Sequence, residues 1–101
     1  MRIPRTIKIG PHLYRVLRKT KAAMGGDLGK CVFNNVEIWL LRGMEASKAR
    51  EILIHEVLHA CTYPTFCNDK KFSDEDFVES TAPVLLSVLR ENPKLVAYLV
   101  E

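Results

Sequence analysis

The stretch Ala46-Ser-Lys-Ala-Arg-Glu-Ile-Leu-Ile-His-Glu-Val-Leu-His-Ala-Cys61 decides how the rest of this chain is read. It holds neither glycine nor proline and consists largely of good helix formers, so it predicts a first long helix from about Ala46 to Cys61. Gly43 closes the segment before it, and Glu45 or Ser47 offers an N-terminal cap. Tyr63-Pro64 is expected to end the helix, because the residue before a proline is pushed out of the helical region. Between Ile52 and Cys61 every residue except His55, Glu56 and His59 is apolar. A helix that is apolar nearly all round is a central one, and three polar side chains within it need partners.

The spacing of those three suggests what the partner is. His55 and His59 stand one helical turn apart, so both imidazoles project from one face and can grip one ion. Glu56 sits about 100° around the helix from His55. From there it can take a proton from a water polarised by the ion without ligating the ion itself, as a general base beside a Lewis acid does. A zinc ion satisfies all three polar groups together. The bland alternative is a set of hydrogen-bonded core residues, and the five-residue spacing weighs against it in a chain with only three histidines.

Zinc in such a site takes a third protein ligand and leaves the fourth position for water. A third histidine could only be His12. A metzincin-type extension needs glycine at position 62 and histidine at position 65, where this chain has Thr62 and Thr65, so that class is excluded. Among the carboxylates, Asp74, Glu75 and Asp76 follow Ser73 in the first turn of a second helix, where acidic residues cap and oppose the macrodipole. Glu79 lies past that turn, among Phe77, Val78, Thr81 and Ala82, and is the expected third ligand. Cys67 is its rival. Cys61, two residues after His59, points to another face of the helix.

The N-terminal part reads as strands. Residues 3–9 and 12–18 alternate β-branched or aromatic residues with basic ones across Gly10-Pro11, a hairpin signal. Cys31 to Phe33 and Val36 to Leu41 add a third and a fourth strand, so residues 1–42 are expected to form a small, mostly antiparallel sheet. The second helix runs to about Glu91, with Phe77, Thr81, Val84, Leu85, Val88 and Leu89 as its buried face and Pro83 as a kink. Asn92-Pro93 starts a terminal turn whose Leu95, Val96, Leu99 and Val100 are expected to cover the core. The fold class is therefore α+β, one domain over residues 1–101.

Composition narrows the function classes. A chain of 101 residues with 48% hydrophobic content can build one core and not two. No run approaches the length of a membrane helix, and Met1-Arg-Ile-Pro-Arg5 lacks the apolar part of a signal peptide, so a cytoplasmic protein is expected. Three cysteines without a Cys-x-x-Cys pair suggest free thiols, with Cys31 and Cys61 as small buried hydrophobes. The formal charge of +3 is uneven. Arg2, Arg5, Lys8, Arg15, Arg18, Lys19 and Lys21 crowd the N-terminal third, where nucleic acid or an acidic partner could meet them, although no nucleic-acid motif accompanies the charge.

The residues Glu51 to Ala60, Asp76 to Leu86 and Val88 to Pro93 resemble the minimal gluzincin peptidases. The likeness is greatest to small phage-encoded zinc-peptidase-like proteins related to the bacterial repressor-cleaving metallopeptidases. The resemblance covers roughly residues 30–93. It implies a short sheet against the motif helix, a glutamate ligand on the second helix that falls on Glu79, and an edge strand near Val36 to Leu41 that receives an extended peptide. The expected function is zinc-dependent hydrolysis of peptide bonds in a protein or peptide substrate, with zinc on His55, His59 and Glu79 and Glu56 as the base. The alternative is a zinc-stabilised phage regulatory module that binds a host protein without turnover. No residue is identifiable as the usual second electrophile, for which Tyr63, Tyr98 and His12 are candidates.

Overall fold

Alternation of apolar and polar residues in the first 41 positions produces four strands, as expected. In the computed structural model, which describes residues 2–66 and 74–101, these are β1 (Thr6–Ile9), β2 (His12–Lys19), β3 (Gly29–Val32) and β4 (Glu37–Leu41). A short helix α1 (Lys21–Met24) separates β2 from β3, and a 3₁₀ turn (Phe33–Asn35) joins β3 to β4. Three further helices follow: α2 (Ala46–Phe66), α3 (Asp74–Glu91) and α4 (Pro93–Leu99). The α+β class holds.

The sheet is mostly antiparallel, as expected, but not wholly so. Its order is β1-β2-β4-β3, and two of its three pairings, β1/β2 and β3/β4, are antiparallel, while the parallel β2/β4 pair makes it mixed. The connection from β2 to β4 contains α1 and all of β3, which is length enough for the crossover a parallel pair needs. The run Val36 to Leu41 is not the edge expected of it. β4 pairs on both sides, with β2 from Arg15↔Glu37 to Lys19↔Leu41 and with β3 from Gly29↔Leu40 to Val32↔Glu37. The edge strand on this side is β3.

The other edge, β1, is closed by a side chain. Asn92, between α3 and α4, accepts the Lys8 backbone N–H at 2.8 Å and donates to the Lys8 carbonyl at 2.8 Å, as a neighbouring strand would. A second donation to the Val88 carbonyl, also 2.8 Å, fixes the amide in place. Such a plug removes the exposed donor and acceptor that invite pairing with another chain.

The inward face of the sheet carries Ile7, Ile9, Tyr14, Ile38 and Leu40, which form one core with Leu53, Val57, Ala60 and Cys61 of α2, Val88 of α3, and Leu95 and Tyr98 of α4. Leu53, Val57, Ala60 and Cys61 recur at the spacing of one helical face, and that face anchors α2 across the sheet. The helix runs five residues past Cys61 and through Pro64. Proline there forfeits only the bond to the Ala60 carbonyl, two residues before the helix ends, and the anchored turns upstream carry the chain past it. α3 likewise continues through Pro83. On α3, Thr81 and Val88 are buried and Val84 and Leu85 half-buried, whereas Phe77 and Leu89 are exposed. On α4, Tyr98 takes the buried place expected of Val100, which is 78% exposed. Arg50 holds α4 onto α2 by donating to the Tyr98 carbonyl at 3.0 Å with its guanidinium over the Tyr98 ring.

Two stability tests arise here. Glu45 is the cap of α2: its carboxylate accepts the N–H groups of Ser47 at 2.9 Å and Lys48 at 3.1 Å, and also the Ser47 hydroxyl. The Ser47 hydroxyl first, and then these backbone donors, hold the Glu45 carboxyl below its ordinary pKa. A depressed acid stabilises the fold above its unfolded pKa and loses that contribution as pH falls through the folded value. Glu45→Gln should therefore lower the thermal midpoint at neutral pH, and the gap to wild type should close on acidification. Thr81 presents the opposite case, a buried hydroxyl without a partner among the described residues. Thr81→Val keeps the shape and removes the unpaired oxygen, so urea titration should show a gain of about 1 kcal/mol.

Among the described residues, no helix is long and apolar enough to cross a membrane. Ser73, the expected cap of the second helix, and Cys67, the rival ligand, lie outside the described residues, as does the side chain of Tyr63.

Candidate metal centre

Because α2 presents Leu53 and Val57 to the core, its opposite flank carries His55 and His59 to the surface. The two rings stand edge to face, 74° apart in plane with centroids 4.7 Å apart, and their Nε2 atoms approach to 3.1 Å. Two nitrogens at that separation, each about 2.0 to 2.1 Å from one zinc ion, subtend about 100°, close to a tetrahedral angle. The pair fits a shared cation. Without one, the same separation suits one neutral ring donating to the other.

Glu56 lies between these two in sequence but on the flank that meets the sheet, and it is only 6% exposed. Burial first of all pushes its carboxyl pKa above the ordinary value, Asp27 adds to the rise, and His59 and His55 oppose it. A carboxylate whose proton affinity is raised is a better base than one in water. The edge strand permits this placement through Gly29. A Cβ added there would overlap Ile52 Cγ2 and lie 3.0 Å from Glu56 Oε2, so only glycine lets β3 come this close to α2. Motif reading did not single out Gly29, since a glycine in a glycine-rich loop carries no signal until its neighbour across the fold is known.

Cys31 on β3 has its thiol pushed up to about 12, by burial first and then by the Glu56 carboxylate. It stays protonated at neutral pH. Burial raises Cys61 as well. Both are free and at least partly buried, as expected of structural cysteines.

A cleft of about 190 Å³ opens beside the histidines, lined by His55, Leu58, His59, Thr62 and Phe77. Phe77 brings the start of α3 to this cleft. Glu79, two residues on, is exposed and therefore directed away from the packed side of α3. Among the described residues no group of three His, Cys, Asp or Glu side chains is assembled around one point. The structure thus brings His55 and His59 together as a pair, sets Glu56 on the adjoining flank that meets the sheet, and leaves Glu79 and His12 outside the pair.

Larger clefts lie elsewhere, one of about 740 Å³ along Arg2, Arg5 and Lys94 and one of about 480 Å³ along Arg2, Arg18 and Arg50. Among the described residues these two clefts are lined by cations and by no carboxylate. Comparison of the chain with family models, with curated proteins and with solved structures returns no match.

Proposed function

We propose that this protein is a zinc-dependent peptidase in which His55 and His59, joined by Glu79, hold the metal and Glu56 is the general base. The observation that carries the reading is the 3.1 Å approach of two imidazole nitrogens beside a buried carboxylate of raised basicity. Zinc bound there would polarise the scissile carbonyl and lower the pKa of the attacking water. Glu56 takes the proton of that water as its oxygen adds to the carbonyl carbon. It then delivers the proton to the amine nitrogen as the carbon–nitrogen bond breaks.

Substrate would lie along β3. Among the described residues its outer edge has no strand beside it, Gly29 presses it against Glu56, and at the opposite edge of the sheet Asn92 occupies the backbone groups of Lys8. An extended peptide added to that edge would pass the base at close range. Glu79 would reach the histidines by a turn of the first coils of α3, whose Phe77 already lines their cleft.

A peptide mixture incubated with zinc-loaded protein and analysed by mass spectrometry tests this. Cleavage that stops on chelation and returns with added zinc supports the reading, and absence of cleavage at any zinc level rejects it. The small cleft favours a second reading, a zinc-stabilised module that binds a host protein without cutting it. Pull-down would then retain the same intact partner with wild type and Glu56→Gln alike.

A further inference from the structure

The face of the sheet turned away from α2 has a different chemistry. Strand alternation places Leu13, Arg15, Leu17 and Lys19 of β2, Lys30 and Val32 of β3, and Glu37, Trp39 and Leu41 of β4 on that face. The register sets Trp39 between Leu17 on one side and Lys30 on the other. Lys19 Nζ lies 4.5 Å from the centre of the indole and Lys30 Nζ 5.7 Å from it. Glu37 is the only carboxylate in the four strands. It is buried, accepting from Trp39 Nε1 at 3.1 Å and paired with Arg15. Its charge is neutralised within the face, and its bond to the indole fixes the plane of the ring.

We propose that this face binds single-stranded nucleic acid, with Trp39 as the stacking platform for a base and Lys19 and Lys30 as contacts for the flanking phosphates. An oriented aromatic ring between apolar side chains and flexible cations matches a chain that alternates flat bases with anionic groups. An acidic peptide would engage the cations and leave the indole without a role. The two lysines over the ring do not block it. Cation–π contact by a solvent-accessible lysine is weaker than base stacking, so each ammonium can leave the ring for a phosphate as a base takes its place. The site lies across the sheet from Glu56 and does not depend on the metal centre.

Trp39 is the only tryptophan in the chain, so its emission reports on this face alone. Titration with oligothymidine about 12 nucleotides long should quench that emission saturably at low salt. Two phosphate contacts on a single strand predict a log–log salt slope of about −1.4. The double variant Lys19→Glu/Lys30→Glu should weaken binding by more than about tenfold, with circular dichroism confirming its fold. Trp39→Leu, followed with a labelled oligonucleotide, should weaken binding as well. Absence of quenching at low salt overturns the proposal. So does equal binding of a duplex of the same sequence, or displacement by polyglutamate as effective as by oligothymidine, since either would mean attraction of charge without stacking.

Discussion

Glu56→Gln should leave zinc content unchanged while lowering peptide turnover by about 10² to 10⁴-fold, the usual contribution of a positioned general base. Glutamine keeps the length and hydrogen-bonding shape of the side chain, so His55 and His59 lose nothing of their 3.1 Å approach. What disappears is the proton acceptor. The same variant should raise the thermal midpoint of the zinc-free protein at neutral pH. Burial raises the carboxyl pKa, so the ionised form destabilises the fold above the unfolded pKa, and a neutral amide avoids that cost. Activity lost together with stability gained is the signature of a buried base. A variant that loses both would indicate that Glu56 is a structural support.

Gly29→Val should produce the largest loss of stability among single changes on the edge strand, about 2 to 3 kcal/mol, or on the order of 10 °C for a domain of this size. The added atoms meet Ile52 on one side and the Glu56 carboxylate on the other. Either β3 moves away from α2 or the helix shifts off the core formed by Leu53 and Val57. Glu56 is displaced from β3 in both cases, so turnover should fall with stability. Truncating Ile52 removes the nearer obstacle. The double variant Gly29→Ala/Ile52→Ala should therefore be less destabilised than the sum of its single changes, and strict additivity would show that the two positions do not touch.

The histidine pair was legible in the sequence because helical geometry alone decides it: four residues make one turn whatever lies around them. The apolar residues of α2 implied burial of all three polar side chains, which holds for Glu56 alone, because the flank that carries His55 and His59 faces outward and leaves both exposed. Local patterns were less informative where the outcome depended on neighbours across the fold. Val36 to Leu41 has the same apolar composition whether it lies at an edge or inside a sheet, and only its pairing with both β2 and β3 settles the matter. The parallel β2/β4 pair depended on where β3 went after α1, which no turn signal encodes. Pro64 reads locally as a stop, yet the packing of Leu53, Val57 and Ala60 carries α2 beyond it. Phe77 and Leu89 fit the helical period of α3 and yet stay exposed.

The basic N-terminal third separates in three dimensions into distinct surfaces. Arg15 and Lys19, with Lys30, surround Trp39 on the open sheet face, whereas Arg2 and Arg18 line a cleft with Arg50. A single count of charge along the chain concealed that division.

The most direct test of the central claim is the zinc content of the chain after equilibration with excess zinc and removal of unbound metal, measured for wild type and for His55→Ala/His59→Ala. The account predicts one zinc per wild-type chain, a higher thermal midpoint with metal than without it, and loss of both in the double variant. Wild type without zinc, or a double variant that retains it, would contradict the account.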